Sequence, residues 1–516
     1  MIESPWRVLL FTKDYTSRGL DRFYWYVDHQ LVETEADEVT RYSGSIVCHD
    51  FWLIRDSLFE KSGRLPNLII DLDEFRIATS GIPDDRLVRE KQDITAWLEQ
   101  SGAEQEICSA YRKMFNKALE FDPEVAKKIA IAFEEMFVHL LENAKALGEA
   151  ERFFDIEAPV YRLLQNAMAG GIRIENDRLS EMRKEAEYNF FNRLKEYSDK
   201  HDMPLETPSK KALEKKLIAM NYELDDVSVD YLLEYVPHEL DFGSDTIKLQ
   251  ESDDARRVLG SLTLSTRIIR PVLDVFGSRT SRIHLRSPNL QNIPKKYRGI
   301  IGARNNGKIC YVDFDQYEVG IMAALSQDQE LMRLYAEGDM YDHFAIHQLN
   351  LPGNRKAAKQ LFLSYAYGMS KKALIDAAVS FGVDRSRAKA AFGVFKQYEN
   401  WKKSIWDDFQ AHGRISTLFG NHFVRNRLGA LSVKEKRSAV SQVVQGTASL
   451  IFKKALLAVG ELEDVTIILP MHDALLFEHT AGDTPTKVIA AFEQSMTTVL
   501  EGRVKGKASV GAFFAD

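Results

Sequence analysis

The chain has 516 residues, 45% apolar and 28% charged, with a net charge of −8. That length requires several domains, and that composition describes an ordinary soluble globular chain. No apolar run reaches the roughly 18 residues of a transmembrane helix, the start Met1-Ile2-Glu3-Ser4-Pro5-Trp6 lacks the charged-then-apolar pattern of a signal peptide, and Cys48, Cys108 and Cys310 are too few and scattered for a metal site or disulfide framework. A reducing cytoplasm and no membrane partner are therefore expected.

Residues 1 to about 105 read as α/β, with strands expected at Arg7–Phe11, Ser45–Val47 and Asn67–Ile70. Apolar residues at helical spacing predict helices over Ala110–Phe121 and Asp122–Leu147, with a break near Gly148–Ala158. Asp177–Lys200 is a long amphipathic helix rich in Glu, Lys and Arg, and Asp253–Phe276 predicts another. A polar segment beginning Thr207-Pro208-Ser209-Lys210-Lys211 lies between them. Further on, Ile309-Cys310-Tyr311-Val312 is a buried strand that ends at Asp313. Val465–Leu469 and Leu475–Phe477 flank a tight reversal, a hairpin with Asp473 near its tip.

Asp313 and Asp473 stand 160 positions apart. Carboxylates on neighbouring strands can hold two divalent cations, and two cations about 3.5–4 Å apart stabilise both the attacking and the leaving oxygen of an in-line phosphoryl displacement. Between them, Arg355, Lys359 and Tyr367 are spaced by four and eight, which puts them on one helix face suited to a triphosphate tail and a base. The net charge argues against a polyanionic partner, but its local distribution matters more. Ser278 to Arg304 carries seven basic residues and no acid, and Gly353 to Ala373 carries five and again no acid. Both runs flank the candidate aspartates, so they read as a phosphate-binding channel.

With Val312-Asp313-Phe314-Asp315-Gln316-Tyr317-Glu318, Arg355-x3-Lys359-x7-Tyr367 and Met471-His472-Asp473 in this order, the chain resembles the family A DNA polymerases, the bacterial DNA polymerase I class that includes many phage replicases. The resemblance runs from Glu157 to the C-terminus, about 70% of the chain. Ser287-Pro288-Asn289-Leu290-Gln291-Asn292-Ile293-Pro294, Thr417-Leu418-Phe419-Gly420 and Gln445-Gly446-Thr447-Ala448 also match the family.

The resemblance implies an α+β right hand: an antiparallel-sheet palm, helical fingers and a helical thumb, preceded by an α/β exonuclease-like N-terminal domain. The implied divisions are a shortened exonuclease-like domain with a helical connector over 1–155, palm entry (a helix, then a short strand) over 156–174, thumb over 175–270, palm over 271–330, fingers over 331–440 and palm over 441–516. The implied activity is template-directed extension of a primer 3′ end with deoxynucleotides by two-metal phosphoryl transfer. Two magnesium ions, with manganese as a substitute, are expected on Asp313, Asp473 and the Phe314 carbonyl. Primer-template DNA and deoxynucleoside triphosphates are the expected partners; any processivity or replisome partner is unidentified.

The family's pattern also assigns roles. Arg355 and Lys359 hold the triphosphate, and Lys359 can protonate the leaving pyrophosphate. Glu318, backed by Tyr367, leaves no room for a 2′-hydroxyl. Gln316 and Leu363 join the nucleotide site. Asn289, Gln291 and Asn292 reach sugars and the minor groove, Arg282, Gln445 and His472 contact the terminal base pair, and Arg437 opens the helix that carries Gln445. Minor-groove acceptors are similarly placed in every base pair, so such contacts test pairing geometry without reading sequence.

The chain departs from the family at several places. Leu363 stands where an aromatic is usual, Ala474 for a glutamate, Pro470 for a glutamine, Asp315 for a serine, and Asn421-His422 for a basic pair. Tyr341 replaces a histidine, with His343 two residues on. These departures suggest a phage or mobile-element type. The first strand ends Thr12-Lys13-Asp14-Tyr15 without the Asp-x-Glu of a proofreading site, and Cys48-His49-Asp50 and Asp71-Leu72-Asp73-Glu74 are the remaining acidic candidates, so proofreading is expected to be absent. Two alternatives are a catalytically inactive DNA-binding scaffold and a single-subunit RNA polymerase, which shares the two aspartates but lacks the Glu318 gate.

Overall fold

A computed structural model describes residues 5–15, 21–82, 93–222 and 241–515, with Asp85, Val229 and Leu233. In it the first apolar run becomes strand β1 (Trp6–Thr12), followed by β2 (Arg22–Val27), β3 (Gln30–Thr34), β4 (Ser45–Cys48) and β5 (Leu68–Asp71). They form one sheet in the order β3-β2-β1-β4-β5, with β4 and β5 parallel to β1 and the β2–β3 hairpin antiparallel to it. The hairpin was not expected from the sequence. Its two-residue turn, Asp28-His29, has φ of 48° and 62° without a glycine to announce it.

Both faces of this sheet are covered, which is why β1 is a continuous apolar run. Val8, Leu10, Val47 and Ile70 pack under helix α1 (Pro123–Ala146), against Ile129, Phe133 and Phe137. Leu9, Phe11, Ile46 and Ile69 point the other way and join the large core of the rest of the chain. The N-terminal sheet is thus welded to the remainder. Buried Arg55 adds to the weld by donating to the carbonyls of Pro271 (2.8 Å) and Arg270 (3.2 Å).

Three local expectations shift. The helix expected at Ala110–Phe121 runs Gln105–Phe115 instead. The break near 148–158 is a short helix (Ala150–Arg152) and a π-helical turn (Phe153–Glu157) leading straight into α2 (Ala158–Gly170), with strand Ile172–Ile174 following. The long helix α3 (Asn176–His201) is where expected, but its partner α4 is Phe242–Ser261, not 253–276, and the chain beyond it makes short strands at Ile268–Ile269 and Val272–Asp274. Of the polar tip between α3 and α4, residues 223–228, 230–232 and 234–240 lie outside the described set, as do Met1 to Ser4.

The second half holds β6 (Lys308–Phe314), α5 (Tyr317–Ser326), α6 (Arg355–Ala366), α7 (Val433–Gly460), β7 (Thr466–Met471), β8 (Ala474–His479), α8 (Thr484–Val499) and β9 (Ala508–Val510). The four strands form an antiparallel sheet in the order β7-β8-β6-β9. α7 starts with a capping box, Ser432 with Glu435, so the helix opens there and not at Arg437. It is the one described helix long and apolar enough to cross a membrane, yet 67% of its apolar window is buried in the protein core.

A buried ionic network joins these parts. Arg152 bonds Glu149 (2.8 Å) and Glu157 (2.5 Å) and donates to the carbonyl of Ala78. Glu149 also accepts from His422 Nδ1 (2.5 Å) and from the backbone N–H groups of Asn421 and His422. Lys453 of α7 pairs with Glu157 at 2.5 Å. Burial alone would raise the Glu149 carboxyl, but His422, Arg152 and the two backbone donors outweigh it and hold it at about 2, against an ordinary 4.5.

A carboxylate with a lowered folded pKa stabilises fully above its unfolded value and loses that contribution as pH falls toward the folded one. Glu149→Gln is therefore expected to cost about 3 kcal/mol at pH 7. The gap to the unmodified protein should narrow through the window from 4.5 to about 2, as read by urea denaturation at pH 7 and pH 3. A gap independent of pH would mean that the Glu149 charge does not matter.

Candidate active site

Antiparallel pairing of β6 with β8 sets Asp313 opposite Ala474, the residue after Asp473. Asp473 sits in the two-residue turn between β7 and β8, where Met471 pairs with Ala474 and His472 takes φ of 58°. The two aspartates are thus brought to one place by register. Burial, and then the charge of Asp473, push the Asp313 carboxyl up from 3.8 to about 7; Lys359 and the Phe314 backbone N–H oppose the rise. Its Oδ1 is buried with no hydrogen-bond partner. An orphaned carboxylate oxygen beside a second carboxylate fits a divalent cation. Among the described residues no group of three or more His, Cys, Asp or Glu side chains forms a metal site, so the side-chain donors gathered here are the two carboxylates. Phe314 anchors the strand end by stacking on Tyr317, 4.1 Å between ring centroids and 2° from parallel. Asp315, which had no expected role, accepts from Ser509 (2.8 Å) and ties β6 to β9.

A second cluster forms around Glu318 in the first turn of α5. Its carboxylate accepts from Tyr367 Oη (2.6 Å), Arg282 Nη2 (3.2 Å) and Gln445 Nε2 (3.3 Å). These four residues come from four separate segments. Ser441 donates to Gln445 Oε1 (3.0 Å), which fixes the amide so that its N–H group faces Glu318. Tyr367 is the C-cap of α6, and burial followed by the Glu318 charge raises its phenol far above the ordinary range, so it stays protonated and donating.

On α6, Arg355 pairs with Asp339 (2.6 Å) and lies 5.3 Å over the ring of Tyr341, while Lys359 Nζ lies 5.8 Å from the same ring. Tyr341 is buried and is therefore the floor beneath both cations, whereas His343 turns to His347 instead. Tyr341 and His343 were both open from the sequence as companions of the cations, and it is Tyr341 that lies under them; Asp339 was not legible as site chemistry, because its partner Arg355 lies 16 residues away. Leu363, half-buried, sits one turn before Tyr367 and accepts its backbone N–H.

Two expected contacts turn inward. Gln291 is 5% exposed; its amide donates to the carbonyls of Ile283 (3.1 Å) and Pro470 (2.9 Å) and accepts from the Leu285 N–H (3.0 Å). Its hydrogen bonds are spent inside, bracing the strand that leads to Asp473, so it has none for a sugar or groove. Gln316 likewise engages its amide with the Gly338 carbonyl (2.8 Å) and the Met340 N–H (2.7 Å), fixing the loop below Tyr341. By contrast Asn292 and His472 are exposed, and Asn289 Oδ1 and Arg437 Nε are buried without a hydrogen-bond partner.

A family model for DNA polymerase family A matches residues 247–514. The thermostable DNA polymerase I of Thermus aquaticus is 28% identical over 274 residues, 46% of this chain and 32% of that protein. DNA polymerase theta of Caenorhabditis elegans is 28% identical over 236 residues, 43% of this chain and 14% of that one. The matched part is thus about a third or less of these relatives' length. The POL domain of Pol1 from M. smegmatis, solved with DNA primer-template and dNTP, superposes with a TM-score of 0.73 at 18% identity, covering 98% of this chain and 94% of that one. The likeness of fold therefore includes the N-terminal sheet.

Gln291→Ala should leave three buried backbone groups unpaired and lower stability by roughly 2–3 kcal/mol, with DNA affinity at equal folded concentration unchanged. Denaturation and fluorescence anisotropy on a primer-template check the two halves. Lost affinity with unchanged stability would return Gln291 to the DNA surface.

Proposed function

The chain belongs to DNA polymerase family A, and from that premise we propose that it extends a primer 3′ end on a template with deoxynucleoside triphosphates. The observation that carries this reading is the register of β6 on β8, which brings Asp313 beside Asp473, with Lys359 near enough to pull the Asp313 carboxyl down. Magnesium ions, with manganese as a substitute, would be held by Asp313, Asp473 and the Phe314 carbonyl, and would supply Lewis-acid activation of the primer hydroxyl and neutralise the leaving pyrophosphate.

The chain's own residues do the rest. Arg355 and Lys359, spread over the Tyr341 ring, bind the triphosphate, and Lys359 gives charge or a proton to the departing pyrophosphate oxygen. Glu318 with Tyr367 walls off the sugar 2′ position. Arg282 and Gln445, already oriented on Glu318, and exposed His472 test the terminal pair from the minor groove, with Asn289 and Asn292 beside them and Arg437 behind. Leu363 packs as an aliphatic wall where the sugar and base enter. Swinging of α6 over a correct pair excludes water and completes the site.

In this scheme α3 and α4 are a thumb within 175–270, the fingers span 331–440, and the palm is made of 156–174, 271–330 and 441–516. Residues 1–155 serve as a shortened exonuclease-like scaffold without proofreading. Supporting this, the Asp71 carboxylate accepts from the backbone N–H groups of Phe51 (2.8 Å) and Asp73 (3.1 Å), acting as a helix cap. The departures at Leu363, Pro470 and Ala474 support a phage or mobile-element type acting in the cytoplasm.

Primer extension on a labelled hairpin tests the reading. Deoxynucleotides with magnesium should be incorporated, and Asp313→Ala or Asp473→Ala should each lower the rate at least about a thousandfold while DNA binding stays within a few-fold. Binding without extension by the unmodified chain would instead mark a scaffold. In the same assay Glu318→Ala should narrow the preference for deoxynucleotides over ribonucleotides by at least about tenfold; an unchanged preference would remove the gate from Glu318. A 3′-mismatched primer that is trimmed would overturn the absence of proofreading.

A further inference from the structure

Ser281 is completely buried and has φ of 62°, the left-handed region that a residue with a Cβ adopts only when its surroundings hold it there. What holds it is ionic. Its hydroxyl donates to Glu157 Oε1 (2.8 Å) and accepts from Lys453 Nζ. Lys453 pairs with Glu157 Oε2 at 2.5 Å, and Arg152 bonds Oε1, the oxygen that also accepts from Ser281. The next residue in the chain is Arg282, whose guanidinium bonds Glu318.

We propose that Ser281, gripped by the buried Glu157–Lys453 pair, is a positioning residue that aims Arg282 at Glu318 and so sets how tightly the sugar side of the nucleotide site is closed. The proposal rests on the polymerase reading of the Glu318 cluster.

Three observations connect the grip to the aim. First, Ser281 lies in a tight loop: its N–H bonds the Ser278 carbonyl (2.8 Å), the Arg282 N–H bonds Ser278 Oγ (3.1 Å), and Gly277 N–H bonds the Arg282 carbonyl (2.8 Å). Turning residue 281 out of the left-handed region breaks this closure and carries the Arg282 backbone with it. Second, the Arg282 side chain is only partly enclosed, 34% exposed, and it reaches Glu318 at 3.2 Å. Its direction therefore depends in part on where its backbone is set. Third, a buried ion pair is a poor source of stability compared with apolar packing and is better suited to fixing one arrangement among several. Lys453 bears that cost: burial lowers its pKa from 10.5 to about 8 despite Glu157. The grip also reaches the N-terminal scaffold, because Arg152 donates to the Ala78 carbonyl.

The test compares Ser281→Ala, Ser281→Gly and Glu157→Gln with the unmodified chain. The readouts are single-nucleotide kcat/KM for a deoxynucleotide and the matching ribonucleotide, and the denaturation midpoint. Alanine keeps the Cβ but loses the grip, so the chain leaves the left-handed region and the discrimination ratio should fall about tenfold, the scale of one strained residue. Glycine loses the grip but holds φ of 62° without strain, so its ratio should stay within about twofold of the unmodified value, although both variants lose stability. In an Arg282→Ala background, Ser281→Ala should produce no further fall.

If alanine does not fold, Glu157→Gln carries the test, with a fall in the same direction. An unchanged ratio in the alanine or glutamine variant, an equal fall in glycine, or a further fall without Arg282 would each overturn the proposal while leaving the polymerase reading intact. Failure of the unmodified chain to incorporate any nucleotide would overturn the polymerase reading, and this proposal with it.

Discussion

The arrangement of the whole chain depends on charges that water does not reach. Glu149, Arg152, Glu157 and Lys453 are each at most 3% exposed, and each is tolerable there only because the others are present. Removing one partner from a buried pair costs roughly 3–5 kcal/mol, a large share of the 5–15 kcal/mol that ordinarily separates folded from unfolded. The elements that carry these groups are the helix Leu72–Thr79 that follows β5, through Ala78, the helical connector, the hairpin at Asn421-His422, the Ser281 loop and α7. They therefore dock together or not at all, which makes the N-terminal part a buttress of the site.

The site shows two contrasting electrostatic solutions. Around Glu318 the charge is already satisfied: a phenol, a guanidinium and an amide from three other segments converge on it. Around Asp313 it is not, because burial and Asp473 push the carboxyl up while one oxygen stays without a hydrogen-bond partner. A surface prepared for shape recognition should be rigid before the ligand arrives. A surface that stabilises charge during a reaction must instead keep some of its charge uncompensated until then.

What the sequence disclosed and what it hid divide along the same physical line. The strand ending at Asp313, the reversal at Asp473 and the helix carrying Arg355 and Lys359 rest on short-range rules of alternation, turn chemistry and helical spacing, and each lies where those rules put it. The errors arise where long-range packing decides. Gln291 reads as an exposed amide until Pro470, 179 residues on, takes its N–H. Gln316 reads as a nucleotide contact, and nothing near it in the sequence announces that the 338–340 loop engages its amide. Helix α4 begins eleven residues earlier than its apolar spacing suggested because Phe242 and Leu249 pack against Phe190 and Tyr197 of α3.

The same line explains why Ser281 went unread as a functional residue. A serine before an arginine carries no local signal, and its importance lies in φ, in burial and in Glu157 and Lys453, 124 and 172 positions away. A side chain that must hold a strained backbone needs an anchor stiffer than itself, and a buried ion pair set between the π-helical turn Phe153–Glu157 and the long helix α7 provides one. The cost of burying Lys453 is then the cost of fixing the direction of Arg282. It falls on the helix that also carries Gln445, so two of the three donors to Glu318, Arg282 and Gln445, are referenced to one rigid element.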